Sequence, residues 1–444
     1  MRFGLRIERI VGLDLRSLAL FRMCVSLVIL YDLASRSFDL VAHYTDFGVL
    51  PVSTLVELYG NRIYASLHVL ASGSVAGEVA VFVFHSVAAI ALLLGFYTRS
   101  ATALCWFFAI SLQIRTLTFS KMGGDAFVAC LLLFGIFLPL GARWSWDRCQ
   151  HLRRSPSPST TPPDDEASNV VTGVAPVAFI LQICVLYWST GWLKTGELWE
   201  DGSAVWYLLN IDMLGSPLSS WLASQGWAIE PLTLSSRFAE RWLPFVLFIP
   251  FATSLFRIAF VVGLSLLHVG LGLFMYLGAY PIMCISGLVA LLPSQLWDRW
   301  LPALRGSTGI EPATRGSALS KRAGYGWPAE LITGLMLVHV LLFAAGSLSI
   351  FGFERSSLPS IQVQAARAIG LKNTWSMMSP NPGTQNWWIV FDGQLASGKH
   401  ADPFRNEPLT WERPENVRDS LRSWRWRLRI MGLLATSKTN PRHD

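Results

Sequence analysis

Nine apolar segments constrain this chain more than anything else in it. They are Leu15–Leu33, Val79–Tyr97, Ala101–Phe119, Ala126–Leu140, Val174–Leu193, Leu243–Phe256, Ile258–Leu277, Ile282–Leu292 and Ala329–Ile350. A helix needs about 20 apolar residues to cross a bilayer, and several segments approach that length. In lipid the backbone must satisfy its own hydrogen bonds, which restricts spanning segments to helices and closed barrels. The pattern therefore predicts an all-α polytopic membrane bundle of about nine transmembrane helices. The fourth, sixth and eighth segments are short and read as thinned, tilted or broken helices. Composition agrees: 52% of the 444 residues are hydrophobic and 15% charged, where soluble domains carry about 25% charged residues. Mean hydropathy is +0.42.

The N-terminus is basic, and its apolar run continues to Leu33 with no small-residue cleavage site, so it reads as a retained first span. Five of the six cysteines (Cys24, Cys105, Cys130, Cys184 and Cys284) lie in apolar segments, and Cys149 follows one. No C-x-x-C occurs, so no metal site is expected. The net charge of +7 fits arginine-rich cytoplasmic loops rather than nucleic-acid binding.

Lys and Arg placement sets the orientation. Arg2, Arg6 and Arg9 precede the first span. Arg143, Arg148, Arg153 and Arg154 fall in the connection 141–173, and Arg299, Arg305, Arg315, Lys321 and Arg322 in 293–328. All three segments are expected in the cytoplasm, the last two as linkers. The acidic segment 195–240 is expected outside. The expected domains are a transmembrane domain, 1–350, and a small α+β extracytoplasmic C-terminal domain, 351–444. In the latter, Asp392-Gly393 signals a hairpin, "NWWIVF" a strand, and 416–434 a basic amphipathic helix. That helix is suited to anionic lipid or to packing on the domain's own sheet.

Charges within spans are paired, snorkelling or functional. Arg22 is expected to snorkel, Arg257 to mark a turn, and His85 and His339 to be core histidines. The stretch "LQIRTLTFSKMGGDAF" places Arg115, Lys121 and Asp125 at a turn between spans. Lys194 ends the fifth span among Trp188, Trp192, Trp199 and Trp206. Two readings are open. One is an interfacial anchor in an aromatic belt. The other is a buried amine, which sheds its proton more readily and can act as a base. Asp125, Glu197 and Asp201 are possible counter-charges, and His268 is expected to border a cavity shared with Lys194.

The segment Y-x-x-x-G-x-x-K-x-x-x-x-W-x-x-G, formed by Tyr187, Gly191, Lys194, Trp199 and Gly202, resembles vitamin K-dependent gamma-glutamyl carboxylase. It equally resembles that enzyme's bacterial relatives, the horizontally transferred transmembrane (HTTM) domain proteins. "HVGLGLFMYLGAYP" from His268, "WSWD" from Trp144, "FRMCVSLVILYDLASR", "GGDAF…FLPLG" and "WSMMSPNP" are similar to family motifs in the same order. The resemblance covers the first eight segments and the start of the tail. It implies a bacterial cytoplasmic (inner) membrane protein with Lys194 as a weak base and His268 as a second catalytic candidate. Arg115, Lys121, Asp125, Trp192 and Trp199 are the candidate cofactor contacts. The implied cofactor is a quinone such as vitamin K hydroquinone, and the implied partner beyond the bilayer is a lipid or a secreted peptide. The sequence departs from the carboxylase at Gly124, near the place of a family histidine, and at Leu271 and Leu273, where the carboxylase has polar amides. Two roles follow: a membrane enzyme acting on a quinol, lipid or peptide, or a non-catalytic maturation, immunity or export factor for a secreted peptide.

Overall fold

The computed structural model describes residues 8, 10–117, 123–154, 169–305, 321–322, 326–371, 374–421, 423–427 and 430. The chain forms two compact units. The first comprises Met1–Leu193, Phe238–His268 and Ala279–Met377, the second Lys194–Arg237, Val269–Gly278 and Met378–Asp444. The division thus falls at Met377/Met378, beyond the expected boundary at 350, and the second unit recruits two earlier segments.

In chain order the first unit begins with β1 (Leu13–Asp14), α1 (Leu15–Ser37), α2 (Leu67–Ala71), α3 (Val75–Leu94), α4 (Thr98–Arg115) and α5 (Gly123–Gly135). The chain continues with β2 (Val170–Thr172) and α6 (Val174–Leu193) of the first unit, α7 (Glu197–Glu200) of the second, α8 (Gly226–Val246) and α9 (Thr253–Phe274), which each have residues in both, and α10 (Tyr280–Leu288), β3 (Lys321–Arg322) and α11 (Gly326–Ser347) of the first. Local signals explain several boundaries. Asp14 caps α1 by accepting from the Arg16 N–H at 2.7 Å, and Ser74 caps α3 through the Gly77 N–H at 3.3 Å. These side chains satisfy donors that a helix start leaves open.

Among the described residues five helices are long and apolar enough to cross a membrane: α1, α3, α6, α9 and α11. Two shorter apolar helices are α5 and the stretch Tyr280–Leu291. The α6 boundaries coincide with the expected segment. The sixth expected segment, Leu243–Phe256, is not one helix. It covers the end of α8, a break at 247–252 and the start of α9. Pro250 has no N–H to give, a fact hydropathy does not register. Arg257 accordingly lies inside α9, buried, and donates to the Ile10 carbonyl at 2.7 Å rather than marking the turn.

The core runs through α1, α3, α4, α5, α6 and α10, with α6 mostly buried. α1 packs on α3, and α6 on α11. Outward rows stay apolar: Val79, Val83, Val87, Ile90 and Leu94 on α3, and Leu331, Leu335, Val338 and Leu342 on α11. Apolar stripes of this extent belong against lipid rather than water. At the start of α1 a three-stranded sheet joins remote segments, β1 antiparallel to β2 and β2 parallel to β3.

The second unit packs Leu209, Leu222, Ala228 and Ile229 with Val205, Ala223 and Phe274. It also holds an antiparallel sheet of β4 (Gly393–Gln394), β5 (His400–Asp402) and β6 (Glu407–Pro408). The expected hairpin exists, but Gly393 opens its first strand. The turn lies at 395–399, closed by the Leu395 N–H on the Lys399 carbonyl at 2.9 Å. "NWWIVF" forms no strand. The expected helix over 416–434 reduces to turns at 415–420 and a helical turn at 424–427, and its remaining residues fall largely outside the described ones.

Candidate functional site

α6 ends at Leu193, and Lys194 follows in the second unit. A lysine there could extend to water at little cost, yet it is 5% exposed. Its Nζ lies 4.4 Å from the ring centroid of Trp199, and a ring face attracts positive charge. Trp199 is itself buried and donates its indole N–H to the Met378 carbonyl at 3.0 Å. The Gly196 N–H reaches the Pro380 carbonyl at 3.1 Å, and the Leu198 N–H the Asn381 side-chain oxygen at 3.2 Å. The "WSMMSPNP" stretch thus supports the lysine motif directly. Arg237 holds the far side, donating to the Trp199 carbonyl at 3.1 Å and pairing with Glu200 at 3.6 Å. Gly202 sits at φ +81°, and a Cβ there would meet the Glu230 side chain, so the motif's last glycine is sterically required. Asp201 accepts from the Ser203 N–H and hydroxyl at 2.8 and 2.6 Å, which holds its carboxyl below the usual range.

The other half of the motif lies in the first unit. The Tyr187 hydroxyl and His268 Nε2 are 2.9 Å apart, both buried. Two stretches carrying the family resemblance therefore meet in one hydrogen bond. The His268 ring also packs edge-on to Tyr280 at 5.5 Å. Gly191 allows α8 to approach: a Cβ there would sit 2.9 Å from the Arg241 backbone nitrogen. Arg241 donates to the Gly191 carbonyl at 2.7 Å and lies 5.1 Å from the Trp192 ring, which packs on Trp242. Trp192 thus has an arginine and a tryptophan as neighbours, and Lys194 and His268 belong to different compact units.

The remaining candidates divide as follows. Asp125 is engaged by Arg36, whose Nη2 reaches both carboxylate oxygens at 2.8 Å, so it is no spare counter-charge. Arg36 also pairs with Asp32 at 2.6 Å. Arg115 is fully buried and donates to the carbonyls of Tyr44, Thr45 and Leu50. Lys121 lies outside the described residues. Arg22 does not snorkel. It is fully buried, and its guanidinium donates to the carbonyls of Leu92, Leu93 and Trp144. W-S-x-D has a structural role at this point. Asp147 accepts from the Tyr97 and Thr98 N–H groups at 2.9 and 2.8 Å, closing the start of α4. His339 is 3.1 Å from the Gln362 amide, and His85 stacks on Phe108.

Sequence reasoning missed Arg36, Tyr44, His68 and Glu78. Asp32 and Arg36 one turn apart at the end of an apolar run were the available signal. No protein-family model, curated protein or solved structure matches the chain. Among the described residues no cluster of His, Cys, Asp and Glu is arranged to hold a metal ion.

Proposed function

We propose that the chain is a membrane enzyme of the HTTM, carboxylase-like type, with Lys194 as its base. One observation carries this: Lys194 is buried under Trp199 at a span end, where an anchoring lysine would be in water. In this role the amine takes a proton from an acidic substrate group, and the Trp199 ring face stabilises the ammonium that forms. The Met378 carbonyl, by fixing the indole, fixes where that ammonium rests. A quinol is the proposed substrate: when bound it would supply the acidic O–H. A lipid headgroup or a peptide carboxyl is the other substrate class.

The proposed setting is a bacterial inner membrane with the N-terminus cytoplasmic and residues 351–444 outside. The sheet of β1, β2 and β3 supports one part of this, that the three segments the basic residues assign to the cytoplasm share one side, because it gathers them at one end of the first unit.

The test is extraction and mass spectrometry of small molecules and peptides that co-purify with wild type and Lys194→Met. The expected result is a bound quinone or lipid that falls at least about tenfold in the variant, about 1.4 kcal/mol of binding, with an unchanged size-exclusion profile. Equal ligand content in both proteins overturns the enzyme reading. A secreted peptide co-purifying equally with both would instead support the non-catalytic maturation role.

A further inference from the structure

A second polar centre lies in the first unit, independent of Lys194. It stands where the end of α1, the short α2, the start of α3 and the end of α4 meet. Tyr44 links the two arginines there: its hydroxyl accepts from Arg36 at 3.1 Å and its carbonyl from Arg115 at 3.0 Å. Beside it His68 Nδ1 and Glu78 Oε2 are 2.8 Å apart, both side chains fully buried. His85 lies seven residues after Glu78 on the same face of α3, about 10 Å along the axis, and is stacked on Phe108 at 5.1 Å.

Five polar atoms of this centre have no hydrogen-bond partner among the described residues. They are His68 Nε2, Glu78 Oε1, both ring nitrogens of His85, and Arg115 Nη1. Each costs about 1–3 kcal/mol if left unmade, and folded proteins keep few. In folded proteins buried water bridges polar groups of this kind.

We infer that His68, Glu78 and His85 form a proton-transfer relay buried in the helix bundle, with water as carrier between them. Burial, with the charges of Arg36 and Arg115, pushes the His68 ring down to about 3. At neutral pH the ring is therefore uncharged, and one proton is shared across the contact with Glu78. A proton arriving from water at His68 Nε2 makes the ring doubly protonated. The Nδ1 proton then passes to the Glu78 carboxylate and the ring is neutral again. The carboxyl releases that proton to water, leaving the ring protonated on Nε2; the same steps in reverse, with a proton entering from water at Glu78 and one leaving from Nε2, restore the first tautomer. One proton crosses in each direction and no electrons move. The charged groups facing the relay are Arg36 and Arg115 for His68, Arg115 and Asp46 for Glu78, and Asp32 and Arg36 for His85.

Infrared spectroscopy of the full-length protein in lipid nanodiscs reads this directly. The carboxyl stretch of Glu78 is identified as the band lost in Glu78→Gln, which keeps the hydrogen bond to His68. The relay requires that band to shift within minutes of transfer to heavy water. It also requires His85→Phe, which preserves the stack on Phe108, to slow that exchange by roughly tenfold or more. A band that stays unexchanged for hours marks a sealed structural pair and overturns the relay. So does an exchange rate that His85→Phe leaves unchanged.

Discussion

Arg22 and Arg36 share one helix, and both are shut off from solvent. Arg22 spends its donors on backbone carbonyls at the end of α3 and on Trp144, and Asp147 nearby closes the start of α4. Helix ends always leave such groups open, so charges placed there complete the scaffold. Arg36 instead meets two carboxylates, Asp32 and Asp125, in a neighbourhood that keeps His68, Glu78 and His85 partly unmatched. Nothing in helix geometry demands that arrangement. Equal burial therefore says little about role; what the polar atoms face says more.

Thermal unfolding in detergent, followed by size-exclusion chromatography, can break this contrast. Arg36→Met should give the largest loss, about 3–5 kcal/mol, because it removes the buried guanidinium that the carboxylates of Asp32 and Asp125 share. Adding Asp125→Asn to that variant should restore part of it, and a double variant no better than the single one would dissolve the pairing. Arg22→Met should cost less, about 1–3 kcal/mol, since the carbonyls it leaves are neutral. If Arg22→Met proves the worse of the two, the distinction between scaffold and charge cluster fails. Asp147→Ala should lose about 1 kcal/mol, the ordinary worth of a helix cap. Glu78→Gln should be the mildest, under about 1 kcal/mol, because the amide keeps a hydrogen bond to the neutral His68. A collapse of that variant would mean the carboxylate is needed as a charge.

Much of the scaffold was legible in the sequence. α6 was readable to the residue because nothing but apolar length defines it, and a hairpin does lie near Asp392, although its turn falls at 395–399 rather than at Asp392-Gly393. The error at Leu243–Phe256 came from averaging across Pro250. Lys194 was readable as a lysine among Trp188, Trp192, Trp199 and Trp206, but not which ring it meets, because the chain leaves the helix at Leu193 before reaching Trp199. The Arg36–Asp125 pair was not, since a hydrogen bond between residues so distant in sequence leaves no local mark. Nor was the role of Asp147, because capping of α4 depends on a chain reversal that spacing alone does not encode.

The sheet at the start of α1 bears on how the chain is made. β2 runs between an early strand and a late one. Once synthesis passes β2, roughly 150 residues remain before β3 emerges, a wait on the order of ten seconds at typical ribosomal rates. Until then the second edge of β2 is a bare row of backbone donors and acceptors, open to any passing strand. Parallel pairing across such a distance also closes slowly. The first unit is thus bolted shut from its beginning only when the final apolar helix, α11, is about to enter the membrane. A chain stalled before residue 321 would hold its helices but not its clasp.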